Sequence, residues 1–272
     1  MSTYPEALIF LGALAVAVGA MRFLAIEILL KIANSTNSPQ MYEDGAETSD
    51  SEVQPRAPDG WRVIRCLLLA AGLIISAFLC LTIAVLHWNR TSAIDLAVND
   101  FFQPFRAPWL LHLFVEVTSL GTIISMGMLV AVVSVLLWSM RRSSILLPLW
   151  ASFLGAEVTT WVAKYAINRA RPVFIDGITE FNPSFPSGHA TASTVVIGFI
   201  GFVIARELST KRMRAEVGVW SAMAIAAICL SRLFLSLHYL SDVLAGVLVG
   251  SAWLLIGIAI NEWRGLEAKP LH

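Results

Sequence analysis

Charge is what this chain has least of. Only 14% of its 272 residues are Asp, Glu, Lys or Arg, against about 25% in a soluble domain. With 57% hydrophobic residues and a mean hydropathy of +0.73, its main solvent is lipid. Net charge is also missing: 19 basic residues balance 19 acidic ones, which excludes a general attraction to nucleic acid. Cysteine is scarce. Cys66, Cys80 and Cys229 all fall in apolar runs, and the first two would lie about 21 Å apart on one helix, beyond disulfide reach. The odd number and the lack of Cys/His ligand spacing exclude a disulfide framework and a zinc site; the three read as buried small apolar residues. No Lys or Arg precedes Arg22, so the first apolar run lacks the basic start of a signal peptide. No internal repeat interrupts the pattern.

Long apolar runs are what the sequence has instead. A bilayer-spanning helix needs about 20 mostly apolar residues, and seven segments qualify: 7–30, 66–88, 122–140, 144–166, 190–205, 217–235 and 240–260. Residues 34–60 are polar, acidic and rich in Ser, Pro and Gly, too poor in apolar surface to order themselves. The expected fold is all-α, a polytopic membrane helix bundle. A transmembrane helix in 1–33 and a cytoplasmic linker in 34–60 precede a six-span domain over 61–262, with a cytoplasmic tail at 263–272. The stretch 89–121 is too polar to span; one or two helices at the membrane surface suit it, with Trp88, Phe101, Phe102, Phe105 and Trp109 as interface anchors or the edge of a lipid entrance.

Lys and Arg in short loops set the orientation. Arg141 and Arg142 in one loop, and Arg206, Lys211, Arg212 and Arg214 in another, mark the cytoplasmic side. Regions 89–121, 168–189 and 235–239 then face outward. That side still carries Arg90, Arg106, Lys164, Arg169, Arg171 and Arg232. These run against the topology rule and call for another explanation.

Charge beside hydrocarbon is costly and usually kept for function. Lys164, Arg171 and Arg232 complement an anion of charge about −2, with Arg169 as a fourth candidate, and arginine forks suit phosphate oxygens. Ser187 and Gly188 precede a helix whose first turn offers unpaired N–H groups to an anion, and glycine permits close approach. His238 and Asp242 are four apart and share a helix face; a carboxylate on one ring nitrogen makes the other a better nucleophile. His189 is a second histidine without such a partner, so attacker and proton donor are the two roles on offer. Taken singly, each group has a plainer reading: a snorkelling anchor, a turn before a helix, a surface hydrogen bond. All three on one membrane face weigh against those readings together. Gly246 and Gly250 read as a close helix contact. Glu157, two turns below Lys164, reads as paired with a basic or polar neighbour.

The patterns Lys164-x6-Arg171-Pro172, Pro186-Ser187-Gly188-His189 and Ser231-Arg232-x5-His238-x3-Asp242 resemble the type 2 phosphatidic acid phosphatase superfamily at every motif position. The resemblance covers about 65–260. It implies metal-independent phosphoryl transfer with no cofactor. His238 would attack phosphorus and form a phosphohistidine, Asp242 would hold and polarise His238, and His189 would protonate the leaving oxygen. Lys164, Arg171, Ser187, Gly188 and Arg232 would hold the phosphate oxygens. The implied protein is a bacterial inner-membrane phosphatase with its site facing the periplasm. Phosphatidate, phosphatidylglycerol phosphate, a polyprenyl diphosphate and a lipid A phosphate are all compatible substrates. A lipid-to-lipid phosphotransferase would use the same site, and a lipid transporter would use it for binding alone. The oligomeric state is not readable from the sequence.

Overall fold

The computed structural model describes residues 59–87, 89–172 and 180–267. The helix expected in 7–30 and nearly all of the linker lie outside them. The described residues form eight α-helices and two short 3-10 turns, with no strand among them. The helices are α1 Asp59–His87, α2 Asn89–Phe102, α3 Pro108–Leu120, α4 Ile123–Ser139, α5 Leu146–Ile167, α6 Gly188–Glu207, α7 Lys211–Phe234 and α8 Leu240–Glu267. Five of them are long and apolar enough to cross a membrane. The span expected at 122–140 is shorter than that: α4 has only 17 residues. It reaches spanning length only together with α3, from which it is bent by 46°. The chain is a multi-pass membrane protein.

The apolar pattern follows this solvent. On α1, Leu69, Leu73 and Ile83 are exposed while Ile64 and Ala71 are buried. A helix that keeps such residues on its outside belongs in lipid, where that face carries no penalty. Cys66 and Cys80 share that outer face, contrary to the expectation of three buried cysteines; only Cys229 is buried. The inner stripe of α1 packs against α8, which also contacts α5, α6 and α7 and so forms the central strut of the bundle. A core of Met126, Val130, Leu149, Phe153, Val195, Val196, Phe199 and Ile228 joins α4, α5, α6 and α7.

Two features fix the end of the bundle where α5, α6, α7 and α8 meet. Asn168 adopts a left-handed conformation (φ 49°) and donates its N–H to the Lys164 carbonyl, stopping α5, as Asn can. The chain then folds back over the helix ends, where the Ser184 N–H bonds the Arg169 carbonyl. Across the bundle end, Phe102, Ala107, Leu110 and Phe114 bury Phe234, Leu235 and Leu237. The Phe114 and Phe234 rings stack with centroids 4.3 Å apart. The stretch expected to hold one or two surface helices thus holds two helices that clamp the α7–α8 turn, and the second of them, α3, continues across the bend into α4 as part of a broken span.

Candidate active site

The turn at 235–239 is braced from below its backbone. Ser236 has φ 51°, an uncommon conformation for a residue with a side chain. Its Oγ donates to Asn99 Oδ1 at 2.5 Å. Arg106 donates to both, at 2.7 Å to Asn99 Oδ1 and 2.6 Å to Ser236 Oγ, and its Nε reaches the Phe234 carbonyl at 2.9 Å. This accounts for one of the arginines that run against the topology rule: Arg106 holds the turn.

The turn delivers His238, almost fully buried. Its Nδ1 lies 3.3 Å from Ser184 Oγ and 3.5 Å from Asp242 Oδ2. The sequence pairs His238 with Asp242 directly; in the structure Ser184 also bonds the same Asp242 oxygen, so the carboxylate acts on the ring partly through a hydroxyl. On the other side, Arg171 Nη1 lies 3.0 Å from His238 Nε2. A guanidinium only donates, so Nε2 bears the lone pair and Nδ1 the proton. Burial, then Arg232, Arg171 and Lys164, push the His238 pKa well below the usual histidine value, which keeps the ring neutral.

Asp242 is itself held from several directions. It accepts from Arg169 Nη1 at 2.5 Å and from the Tyr239 N–H at 2.9 Å. Arg169 also donates to Asp95 at 2.8 Å, and Asp95 accepts the Ser241 N–H and hydroxyl at 2.9 and 2.7 Å. Arg169, offered by the sequence as a fourth phosphate contact, is therefore engaged by two buried carboxylates. Its guanidinium also lies over the Tyr239 ring, 4.4 Å from the centroid.

The remaining cations converge from three elements. Lys164, at the end of α5, donates to the Pro183 carbonyl at 2.6 Å. Arg171 donates to the carbonyls of Asn182 and Leu237, each at 2.7 Å. Arg232, 1% exposed, donates to Thr118 Oγ1 at 3.0 Å and approaches His189 Nε2 at 3.4 Å. Glu180 bridges the two arginines: Oε1 accepts from Arg232 at 2.5 Å and Oε2 pairs with Arg171 at 2.8 Å.

Ser187 and Gly188 stand at the start of α6. The Ser187 N–H bonds the Asp242 carbonyl at 3.0 Å, but its hydroxyl does not cap the helix. Among the described residues, Ser187 Oγ and the Arg232 Nε are buried polar atoms without a hydrogen-bond partner. Among the described residues, a Cβ at Gly188 would meet only Thr160 Cγ2, at 3.9 Å, so they leave space beside that backbone. The N–H groups of the helix's first turn have no partner within it. Glu157 Oε1, expected to be paired, is also buried without a partner.

All eight residues singled out by the sequence therefore lie at one end of the bundle. Ser184, Glu180, Asp95 and Thr118 join them without having been foreseen. Ser184 stands two residues before the Pro-Ser-Gly-His run, and Asp95 is an acid in a half-apolar helix; those were the available signals. Glu180 and Thr118 had none.

The sequence and the architecture have known counterparts. Residues 145–266 match the model of the PAP2 superfamily. Phosphatidylglycerophosphatase B of Bacillus subtilis (strain 168) is 25% identical over 174 residues, covering 64% of this chain and 86% of its own. The crystal structure of a transmembrane PAP2 type phosphatidylglycerolphosphate phosphatase from Bacillus subtilis superposes with a TM-score of 0.66 at 23% identity. The match covers 74% of this chain and 98% of that one. That likeness is one of fold.

Proposed function

Starting from residues 145–266 as a member of the PAP2 superfamily, we propose that the protein hydrolyses a lipid phosphate or diphosphate through a phosphohistidine on His238, at the outer face of the membrane. The observation that carries this reading is the His238 Nε2 lone pair pointing at Arg171, at the same bundle end as Ser187 Oγ and Arg232 Nε, which are without a hydrogen-bond partner among the described residues.

In the first step Nε2 attacks phosphorus and the bond to the lipid oxygen breaks. The proton on Nδ1 stays, steadied by Ser184 and Asp242. His189, beside Arg232, takes up a proton when the phosphate's negative charge enters next to it and gives that proton to the leaving oxygen. Water then attacks the phosphohistidine, giving its proton to His189 and releasing inorganic phosphate. Lys164, Arg171, Arg232, the Ser187 hydroxyl and the α6 N-terminus at Gly188 hold the oxygens on which charge shifts. Such positioning and electrostatics do most of the work in phosphoryl transfer. Nucleophile, acid and cations are all side chains of this chain, so the reading assigns no step to a metal or cofactor.

A groove supports a lipid substrate. Ile75, Phe78, Leu248, Val249, Trp253 and Ile256 help line an apolar furrow of about 250 Å³ between α1 and α8. Phe78 stacks against Phe185 with centroids 6.0 Å apart, two residues from Ser187. A tail in the furrow would keep a headgroup near the site. The orientation rests on the arginines: Arg142 pairs with Glu207, and Arg206 with Glu262, at the bundle end opposite His238.

The test is a phosphate-release screen of the purified protein across phosphatidate, phosphatidylglycerol phosphate, a polyprenyl diphosphate and lipid A. At least one should release phosphate, and His238→Ala should abolish it while the protein stays monodisperse. In sealed vesicles of known sidedness, release should follow substrate supplied to the face bearing His238. Release by His238→Ala at the wild-type rate, or none from any lipid with the wild type, would remove this reading.

A further inference from the structure

Glu180 takes no part in the mechanism above, yet its carboxylate sits between the two arginines assigned to phosphate. Its oxygens accept from Arg232 at 2.5 Å and pair with Arg171 at 2.8 Å. A carboxylate offers a guanidinium fork the same planar pair of oxygens that a phosphate does. The exposures differ in a useful way. Arg232 and Arg171 side chains are 1% and 9% exposed, whereas that of Glu180 is 33% exposed. The arginines are fixed within the protein, by Thr118 in one case and by the Leu237 and Asn182 carbonyls in the other. Glu180 covers them from the open side and takes no part in those anchoring bonds.

Protonation does not release it. Burial would raise its pKa, but Arg232 and Arg171 outweigh burial and hold the carboxyl down, to about 2. At any working pH it is an anion, and only another anion can take its place.

We propose that Glu180 is an internal stand-in for phosphate and determines which anions the site accepts. The proposal rests on reading Lys164, Arg171 and Arg232 as the phosphate site. With Glu180 in place, two of the three cations are already answered by one negative charge. A phosphomonoester carries about −1.5 to −2 charges at neutral pH and gains more from the cluster than the carboxylate does. A phosphodiester headgroup carries one charge and gains no such advantage. The membrane around the protein is made largely of such phosphodiester and zwitterionic headgroups, so the stand-in keeps them from occupying the site. It also recloses on the arginines after turnover and helps expel the phosphate product.

Equilibrium binding of radiolabelled inorganic phosphate to the full chain in detergent tests this, with wild type, Glu180→Gln and Glu180→Asp compared. A charged hydrogen bond contributes roughly 1.5–3 kcal/mol. Glu180→Gln should therefore bind phosphate about ten- to a hundredfold more tightly. Phosphatidylglycerol, a phosphodiester, should compete with phosphate in that variant and not in wild type. Glu180→Asp keeps the charge and should behave like wild type. Glu180→Ala reads the same quantity should the Gln variant fail to fold. Equal or weaker phosphate binding by the neutral variants, with wild type still binding, would overturn the proposal and leave the phosphate site standing. No binding by any of them would remove both.

Discussion

Arg232 sits at the end of a membrane helix with 1% of its surface exposed. A charge so placed has to be answered by neighbours or by a ligand. Its answers come from Thr118, Glu180 and His189, all distant in sequence, while its Nε has none among the described residues. Asp242 shows the same economy: one carboxylate bonds Arg169, Ser184 and the Tyr239 N–H and faces His238. Asp95 stands behind it, joined through Arg169 and Ser241. Asp95→Asn should loosen that support without touching the phosphate. Breaking one buried charged bond corresponds to roughly 1.5–3 kcal/mol, so kcat should fall about tenfold or more while KM stays nearly constant. Steady-state kinetics on an active lipid phosphate would show it; a rise in KM at constant kcat would place Asp95 in binding instead. The motif residues were legible because their spacing is chemical: charge and histidine at helix ends, at fixed distances from Pro and Gly. Asp95, Ser184 and Glu180 were not, because each acts through a partner brought near only by folding.

Helices α6 and α8 must nearly touch for this to work. A Cβ at Gly246 would lie 2.4 Å from the Ser187 carbonyl oxygen, and one at Gly250 would lie 2.7 Å from that of Thr191. The close contact expected from the Gly246/Gly250 spacing is present, and its partner is α6, the helix that begins at Ser187 and Gly188. It sets Ser187 against Asp242 through the bond between their backbones. Gly246→Ala should force the two helices apart, with a loss of about 1–3 kcal/mol as for other overpacked sites. The expected result is a lower melting temperature in detergent and a lower kcat. Gly72→Ala, where nothing among the described residues lies within 4 Å, should change neither. Equal behaviour of the two variants would contradict the contact. The apolar runs placed α4 to within a residue at each end and missed up to seven residues at the ends of α1, α7 and α8, where polar turns extend the helices. They also did not show that the 17 residues of α4 reach spanning length only with α3, because 89–121 read as a whole is too polar and hydropathy does not register the 46° bend.

At the scale of the whole molecule, the bundle separates two sets of basic residues. At one end Arg142 and Arg206 pair with Glu207 and Glu262 in the manner of ordinary surface bridges. At the other, Lys164, Arg171 and Arg232 surround a neutral histidine. The topology rule reads the first set, and the second makes sense as a site. What the sequence left open, the order in which these cations meet their partners, depends on the fold-back at 180–187, which carries no apolar period. The mechanism requires that His238 become covalently phosphorylated. It is tested most directly by mixing the purified protein with a lipid phosphate labelled at the terminal phosphorus, quenching in alkali within the first turnovers, and locating the label by peptide mapping. An alkali-stable label on His238 is expected, and none in His238→Ala. Phosphate release without any protein-bound label, or a label on another residue, would contradict it.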